Sequence, residues 1–180
     1  MVNLNMIRTL DKLTLETERL LVRTILESDL KSIYQIHTDE QVNRYLPYDT
    51  WTCWNDALKW YRHIKERQAR GDAQQFVILQ KKDLSVVGTC IVFGFKSADS
   101  SCEIGYVLNR MFWRQGYMFE ALSVLASHLL DRDEIQSLRA VVNSDNKSSL
   151  NVLDRLNFNV VTQLPDKNSS SSHLYLRSQP

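Results

Sequence analysis

The chain has 180 residues, a length that suits one domain and is too short for two of ordinary size. Its 22 Lys and Arg side chains nearly balance 21 Asp and Glu, and the net charge of +1 argues against a general nucleic-acid or membrane-surface binder. Hydrophobic residues make up 43% of the chain, which excludes wholesale disorder. We therefore expect a folded domain whose specific chemistry lies in local motifs.

The first part of the chain predicts a strand region followed by two helices. We interpret residues 1–12 as a loose leader, and the alternation of apolar and polar side chains over residues 13–22 predicts a strand or a bent hairpin. Ser28 is the expected N-cap of the first helix. A second helix is predicted at about residues 55–70, and Gly71 stands where a left-handed cap residue belongs. The expected apolar stripe of this helix comprises Trp54, Leu58, Tyr61 and Ile64.

The rest of the chain predicts three strands, a helix, a strand, a helix and two short final strands. Short polar connections join the first three strands, which favours an antiparallel meander. The order indicates one α/β domain at residues 13–177, with a mixed, mostly antiparallel sheet of about six to seven strands and helices on both faces. In chain order, these elements are Phe76–Leu79, Val86–Phe95, Cys102–Leu108, Tyr117–Asp131, Leu138–Val142, Asn146–Leu156, Val160-Val161 and His173–Leu176.

The number and spacing of the cysteines and histidines indicate the cellular compartment and whether a metal site is expected. An odd number of cysteines without CxxC spacing does not suit a secreted disulfide framework, so we predict a cytoplasmic protein whose cysteines lie in the core. The histidines are far apart and lack metal-ligand spacing, so no metal site is predicted. No apolar run approaches the roughly 20 residues that a membrane span needs, and neither a membrane nor a nucleic acid is expected as a direct partner. The cysteines are Cys53, Cys90 and Cys102.

A strand-to-helix loop at residues 109–116 carries the clearest chemical signal. The helix that follows it presents unpaired backbone N–H groups and a partial positive charge, which suit a phosphate. Gly116 would let the backbone approach a diphosphate closely, and Arg110 and Arg114 could add charge-assisted contacts. The alternative is an ordinary turn between a strand and a helix, with two solvated arginines.

Four blocks of sequence follow one another along the chain. They are an opening strand at Glu18–Arg23, the strand before the loop at Glu103–Leu108, the loop and helix start at Phe112–Leu122, and an Asn-x-x-Ser helix with its ending at Asn146–Phe158. All four resemble the RimJ/RimL-type branch of the GNAT acetyltransferases, and the third block is similar to the acetyl-CoA-binding segment of that branch. The resemblance extends over about residues 13–177, nearly the whole chain.

The resemblance implies an acetyl-CoA site in a splay between two central strands, the one that ends at Leu108 and the one at Leu138–Val142. In the family, the end of the first strand pairs with the pantetheine arm, amides at the helix start hold the diphosphate, and the Asn-x-x-Ser helix lies near the arm and its sulfur. Alternatively, Asn146 merely caps its helix. Carried onto this sequence, the cofactor-binding residues are Val107, Leu108, Arg114, Gln115, Gly116, Tyr117, Met118, Asn146 and Ser149.

Direct acetyl transfer to an amine needs a base for the amine, a donor to the oxyanion and an acid for the leaving thiolate. The implied geometry makes Glu103 the candidate general base; alternatively, it pairs with a neighbouring Arg or is solvated. Alternation places Glu103 on one strand face with Gly105 and Val107. A backbone N–H near Leu108 is the expected oxyanion donor. Ser149 is the candidate acid, because the tyrosine that many family members use is absent here.

Three positions depart from the family pattern. Asn157 stands where the last helix usually ends in glycine, and asparagine still tolerates the left-handed conformation of a helix cap. Arg114 also replaces a glycine, so we expect backbone angles there that are open to a side chain, with a guanidinium against the diphosphate or the adenosine 3′-phosphate. Met118 replaces a usually small residue. Glu120, in the same helix, is expected to support packing or capping.

Together these residues predict an acetyl-CoA-dependent N-acetyltransferase that acts directly on a primary amine. One acceptor is a protein N-terminal amine of ribosomal-protein type; the alternatives are a small-molecule amine (polyamine or antibiotic) and a non-catalytic CoA-binding module. A homodimer follows from the resemblance alone. The first two helices and the loop at residues 168–172 should border the acceptor. Their aromatic and acidic residues suit a cationic amine; alternatively, the tryptophans pack in the core and the acidic residues are solvated. These residues are Tyr45, Tyr48, Trp51, Trp54, Trp60, Asp39, Glu40, Asp49 and Asp56.

Overall fold

The computed structural model of the chain describes residues 9–96, 98–164 and 172–179. It contains one open β-sheet, on which the helices pack. Within those residues the eight strands are β1 (Thr14–Glu16), β2 (Leu20–Thr24), β3 (Ala73–Gln80), β4 (Val86–Lys96), β5 (Ser101–Leu108), β6 (Ser137–Asn143), β7 (Asn159–Leu164) and β8 (Ser172–Ser178). The helices are α1 (Leu30–His37), α2 (Glu40–Asn43), α3 (Trp54–Arg70), α4 (Tyr117–Leu130) and α5 (Lys147–Arg155).

The sheet is antiparallel except at one place. Its strands lie in the order β1-β2-β3-β4-β5-β6-β8-β7, and only β5 and β6 pair in parallel. That pairing covers three positions and stops at Glu103 and Arg139, although β5 continues to Leu108 and β6 to Asn143. The two strands therefore splay apart. The mixed, mostly antiparallel fold is confirmed, with more strands than predicted because residues 14–24 form two paired strands.

Helices cover both faces of the sheet and bury two cores. On one face α4 and α5 pack over the strands, and Leu125 of α4 is fully buried there. On the other face α1 and α3 form a second core that includes Ile64. Strand β5 contributes Ile104 to the first core, and its Val107 packs against the second. Because each fully buried aliphatic side chain contributes about 1.5–3 kcal/mol, β5 is held firmly from both faces beside the splay.

The start of α1 corrects the predicted N-cap. Ser28 lies inside a 3-10 turn, Glu27–Asp29, and does not cap the helix. Instead the Asp29 carboxylate accepts a hydrogen bond from the backbone N–H of Leu26 at 2.8 Å. Arg23 Nη1 and Nη2 donate to the two oxygens of that carboxylate, each at 2.8 Å. Asp29 is the N-cap residue of α1, but its side chain makes no cap hydrogen bond to that helix; it closes the 3-10 turn instead, where a bidentate guanidinium fixes its position.

Helix α3 has the predicted bounds, and its buried face includes Ile64 but not the whole of the predicted stripe. Gly71 follows it in the left-handed conformation, with φ of 75°, as predicted. Trp54 and Leu58, two residues of the predicted stripe, are exposed. Ala57 is fully buried instead. A small side chain lets the helix lie close to the sheet, so hydrophobicity alone does not identify the inner face.

The cysteines divide between core and surface. Cys90 and Cys102 are buried as predicted, and burial raises the pKa of each thiol to about 12. Cys53 is exposed, which corrects the expectation of a core residue. It lies just before the first turn of α3, where the chain runs over the surface.

The amino-terminal segment was predicted to be a loose leader that ends before the domain begins at residue 13. Residues 1–8 lie outside the described residues, but Leu10 is fully buried in the same core as α4. Leu10 therefore packs against the domain, and the exact residue at which the domain begins stays a prediction. In the part of the chain that the structure describes, none of the helices has the length and apolar character to span a membrane.

Candidate active site

The splay between β5 and β6 opens toward the carboxyl ends of these strands. Glu103 and Arg139 lie at its closed end, as the last paired residues. Nearer the open end, Val107 and Leu108 remain paired with β4 on the other side. On the side that faces β6, the pairing of β5 ends at Glu103 within the described residues. A strand edge of this kind can bind an extended ligand through its backbone groups.

Gly88 on β4 sets how closely β4 approaches the end of β5, a feature that sequence reasoning left without a role. A Cβ atom at Gly88 would lie only 2.3 Å from the carbonyl oxygen of Val107. That oxygen belongs to the backbone, so any side chain at Gly88 would displace the end of β5. A glycine inside an apolar strand indicates that another group approaches the backbone closely, but the sequence alone does not identify that group.

The loop at residues 109–116 contains two left-handed residues. The Asn109 side chain accepts a hydrogen bond from the backbone N–H of Met111 at 3.1 Å. Further along, Arg114 has φ of 60° and Gly116 has φ of 79°. The expectation of open backbone angles at Arg114 is therefore wrong, because this region is unfavourable by about 1–2 kcal/mol for a residue with a Cβ. The Arg114 side chain is exposed, so packing does not impose this conformation.

Helix α4 presents free donors to the same loop. Its N-cap is Gly116, so no side chain caps the helix. The N–H of Glu120 bonds to the Gly116 carbonyl at 3.0 Å, while the described hydrogen bonds leave the N–H groups of Tyr117 and Met118 unpaired. The side chains of Tyr117 and Met118 are buried, which fixes these donors in place. With the helix dipole, they form a site for an anion.

Glu103 is a half-buried carboxylate on the side of β5 that faces α1 and α3. Val107 lies on the same side, and Ile104 is buried in the opposite core, so the predicted alternation is confirmed. Burial raises the pKa of Glu103, and the nearby Arg139 and Lys96 partly offset that rise. The site therefore holds a carboxylate that is a stronger base than an ordinary surface one.

Of the predicted alternatives for Glu103, the ion pair with an Arg is not formed among the described residues, which leaves a solvated carboxylate. Arg139 is the neighbour of Glu103 across the strand pair, but its Nη2 donates to the carbonyl of Gly94 at 2.8 Å. None of the hydrogen bonds and ion pairs among residues 9–96, 98–164 and 172–179 engages the Glu103 carboxylate. The group is thus available to a ligand in the splay.

Helix α5 brings Asn146 and Ser149 to the β6 side of the splay. The Asn146 side-chain oxygen accepts from the N–H of Ser149 at 3.2 Å, which confirms the capping interpretation. The Ser149 carbonyl accepts from the Tyr106 hydroxyl at 3.3 Å, a contact between α5 and β5 that sequence reasoning missed. The Ser149 hydroxyl has no partner within the described residues. After the helix, Asn157 has φ of 60°, the left-handed cap that was predicted.

A short segment that includes α2 crosses the open end of the splay. Asp39, the N-cap of α2, forms an ion pair with Arg110 of the loop after β5, with an N–O distance of 2.7 Å. Tyr45 donates its hydroxyl to the backbone carbonyl of Asp145, just after β6, at 3.3 Å. Of the two arginines predicted to contact phosphate, only Arg114 therefore lacks an ion pair in the described part of the chain.

The aromatic residues predicted near the acceptor divide into core and surface groups. Trp51 is buried, and its ring lies 4.4 Å from the ring of His37 and 5.6 Å from that of Trp60. His37 is buried in the same cluster, and burial lowers its pKa. Core packing accounts for these rings, whereas Trp54 is exposed. Residues 168–171 of the predicted acceptor loop lie outside the described residues, which themselves contain no cluster of three metal-ligating side chains.

Comparison with known families decides what kind of domain carries this site. A family model described as "Acetyltransferase (GNAT) domain" matches residues 19–159. The chain belongs to the GNAT acetyltransferase family. The resemblance inferred from the four sequence blocks is thereby confirmed, and this GNAT protein is an enzyme of the N-acetyltransferase class.

Curated relatives of this GNAT enzyme extend over most of its length. Uncharacterized N-acetyltransferase p20 of Bacillus licheniformis is 29% identical over 164 residues, which cover 89% of this chain and 90% of that protein. Uncharacterized N-acetyltransferase YoaA of Bacillus subtilis (strain 168) is 24% identical over 144 residues, which cover 80% of this chain and 81% of that protein.

Solved structures of other GNAT proteins share the fold. RimL, a ribosomal L7/L12 alpha-N-protein acetyltransferase solved in complex with coenzyme A, superposes with a TM-score of 0.82 at 19% identity, over 92% of this chain and 98% of that chain. A spermidine N-acetyltransferase from Vibrio cholerae, in complex with CoA and spermine, gives a TM-score of 0.77 at 10% identity, over 91% of this chain and 97% of that chain. At these identities the likeness shows the fold alone.

Proposed function

We propose that this GNAT enzyme transfers an acetyl group from acetyl-CoA directly to a primary amine. The observation that carries the proposal is the splay. The unpaired edge of β5 ends at Leu108, and the loop at residues 109–116 connects it to the free N–H donors at the start of α4. A pantetheine arm needs amide partners along its length, and a diphosphate needs positive donors at one end. The splay offers both next to each other.

The residues present fit each chemical part of acetyl-CoA. Backbone groups at the end of β5 would pair with the pantetheine amides, and amides of the loop and of the first turn of α4 would hold the diphosphate. The free guanidinium of Arg114 adds positive charge beside that turn. When bound, acetyl-CoA supplies an activated acetyl thioester. The proposed binding residues are Val107, Leu108, Arg114, Gln115, Gly116, Tyr117, Met118, Asn146 and Ser149.

Glu103 is the proposed general base. An amine with a pKa of about 8–10 is mostly protonated at neutral pH, so it must lose a proton before it can attack. The Glu103 carboxylate is half-buried and unpaired, and burial raises its pKa. We infer that the proton moves from the ammonium group to a Glu103 oxygen, directly or through one water molecule.

Two further groups complete the proposed chemistry. A backbone N–H near Leu108 donates to the acetyl oxygen as it gains negative charge. The Ser149 hydroxyl, which engages no partner in the described residues, gives its proton to the departing sulfur and regains one from the acetylated nitrogen, which loses its second proton as the neutral amide forms. Because Tyr106 holds the carbonyl of Ser149 from across the splay, this serine is fixed relative to β5.

The acceptor is proposed at the level of a primary amine, with two candidates. A protein N-terminal amine of ribosomal-protein type is supported by the likeness to RimL. A small-molecule amine, such as a polyamine or an antibiotic, is supported by the likeness to the spermidine enzyme. The exposed Trp54 and the exposed carboxylate of Glu40, in the first turn of α2, suit a cation in either case.

A transfer assay tests the proposal. Purified enzyme and acetyl-CoA would be incubated with a panel of N-terminal peptides, polyamines and aminoglycosides, and the products identified by mass spectrometry. We expect a gain of one acetyl group on a primary amine, and we expect Glu103→Gln to abolish it while acetyl-CoA still binds. Binding without transfer across the panel would favour the non-catalytic module.

We also infer a cytoplasmic location and a homodimer. Cys53, Cys90 and Cys102 are all free thiols, which suits a reducing compartment. The homodimer rests on the family resemblance, and light scattering of the purified chain would test it. A monomeric mass at working concentration would contradict it.

A further inference from the structure

Arg19 lies immediately before β2 and contacts the loop that leads into α4. Its Nη1 donates to the backbone carbonyl of Gln115 at 3.0 Å. Its Nε donates to the Glu120 carboxylate at 2.6 Å, and Nη2 lies 2.6 Å from the same oxygen. The guanidinium carbon stands 4.3 Å from the centre of the Tyr117 ring. One planar side chain therefore contacts the loop, the first turn of α4 and an aromatic face at once.

The partners of Arg19 are themselves fixed. Glu120 also accepts hydrogen bonds from the backbone N–H of Arg19 at 3.0 Å and from the hydroxyl of Thr17. Its carboxylate therefore has the supporting structural role that was predicted. The Tyr117 hydroxyl accepts from the Gln80 side chain at 2.5 Å, which fixes the ring beneath the guanidinium. All three guanidinium nitrogens of Arg19 therefore have partners within the protein.

The contact with Gln115 sets the direction of one peptide group. In a trans peptide the C=O and the following N–H point in opposite directions. Because the Gln115 carbonyl points at Arg19, the N–H of Gly116 points to the other side of the turn. The first turn of α4 directs the unpaired N–H groups of Tyr117 and Met118 out of the start of the helix, where Gly116 is the N-cap, so we infer that the N–H of Gly116 joins them. A reversed peptide would place a carbonyl oxygen there instead, and an anion would be repelled.

We propose that Arg19 is a positioning residue for the diphosphate of acetyl-CoA. Arg19 holds the peptide between Gln115 and Gly116 in the orientation that adds an N–H to the anion site. The carboxylate of Glu120 neutralises the positive charge of Arg19. The proposal rests on the proposed function, since it requires that acetyl-CoA binds at the start of α4. It assigns a role to the opening-strand block Glu18–Arg23, which the proposed chemistry does not otherwise use.

The test compares Arg19→Lys with Arg23→Lys. A lysine at position 19 keeps the charge beside Glu120, but one nitrogen cannot replace the planar fork that also holds Gln115. Arg23 is a matched control, because it lies on β2, the strand that Arg19 precedes, and makes a bidentate pair with Asp29 rather than with the loop. Both variants lose a fork-shaped ion pair, so a general loss of stability would be common to both.

Three probes separate positioning of the diphosphate from other roles. CoA and dephospho-CoA both carry the diphosphate and would be titrated by calorimetry, while pantetheine lacks it and would be titrated by nuclear magnetic resonance, which measures weak binding. For Arg19→Lys we expect Kd to rise about tenfold for CoA and for dephospho-CoA alike, the effect of one charge-assisted hydrogen bond, and to stay unchanged for pantetheine. Arg23→Lys should change none of the three. In turnover, Arg19→Lys should raise KM for acetyl-CoA and leave kcat unchanged.

Each other outcome has a distinct meaning. An equal loss for pantetheine would overturn the proposal in favour of a general structural role. A loss for CoA but not for dephospho-CoA would overturn it in favour of a contact with the 3′-phosphate. Failure of the unmodified chain to bind CoA would instead refute the proposed function. If Arg19→Lys does not fold, Glu120→Gln, which removes the charge that holds the guanidinium, should weaken both diphosphate probes and spare pantetheine, and the absence of that pattern would refute the proposal.

Discussion

At the scale of single residues, Arg114 combines an unfavourable backbone with a free charge. Its φ of 60° belongs to the region that favours glycine, and its guanidinium makes no ion pair among the described residues. Nothing within the described chain therefore compensates for the strain of this conformation. Strain of this kind is concentrated at active sites and ligand-binding sites, which is consistent with a role of Arg114 in binding.

Replacing Arg114 by glycine should therefore move stability and binding in opposite directions. Relief of about 1–2 kcal/mol of backbone strain exceeds the entropic penalty of glycine, so the free energy of unfolding should rise by about 0.5–1 kcal/mol. The Kd for acetyl-CoA should rise roughly threefold to tenfold, because a charge beside the phosphates is lost. Urea unfolding and calorimetry measure the two quantities.

Ser100 offers a matched control for Arg114. It has φ of 45° and lies in the turn before β5, at the opposite end of that strand from the loop. Ser100→Gly should raise the free energy of unfolding similarly and leave acetyl-CoA binding unchanged. An unchanged Kd for Arg114→Gly would remove Arg114 from the binding site.

The carboxylate of Glu103 gives a prediction with a definite pH dependence. Burial raises its pKa in the folded state, so its stabilising contribution is present at low pH and is lost as the pH rises through that raised pKa. Glu103→Gln stays uncharged, and its free energy of unfolding should therefore increase relative to the natural chain as the pH rises from acidic to neutral. Urea unfolding across this range measures the difference. A difference that stays constant with pH would contradict the buried environment of Glu103.

At the scale of elements, the approach of β4 to the end of β5 shapes the splay. Gly88→Ala would bring a Cβ atom to 2.3 Å from a backbone oxygen of Val107, so β5 must shift at the proposed pantetheine site. We expect a loss of about 2–3 kcal/mol in the free energy of unfolding, together with weaker acetyl-CoA binding.

Gly105 is the control for this element. A Cβ atom there would lie 3.1 Å from a side-chain methyl of Ile91, which can adjust. Gly105→Ala should therefore lower the free energy of unfolding by less than Gly88→Ala does, and denaturant titration of both variants compares them. Equal losses would mean that the backbone contact at Gly88 is not what sets the approach of the strands.

The elements also show how far sequence reasoning reaches. Alternation and helical spacing predicted the meander and α4, because local patterns encode both. The same patterns misplaced one edge of the inner face of α3, where the small Ala57 rather than Trp54 packs inward beside the correctly predicted Ile64. They also placed the cap of α1 at Ser28, because the pairing of Asp29 with Arg23 joins two different elements and leaves no local signal.

At the scale of the whole molecule, the candidate site is assembled from distant parts of the chain. The contact of Asp39 with Arg110 and that of Tyr45 with Asp145 connect the α2 segment to both sides of the splay. The loop and helix of the anion site could be predicted because they are contiguous in sequence. The contacts across the opening could not, since each joins residues far apart in the chain.

The whole-molecule account depends on acetyl-CoA entering this splay. Titration of acetyl-CoA into the full chain, followed by calorimetry and thermal unfolding, tests that claim most directly. We predict saturable binding and a raised Tm, with about 2.7 kcal/mol of added stability when the free ligand is at 100 times its Kd. No heat of binding and an unchanged Tm at millimolar acetyl-CoA would contradict the account.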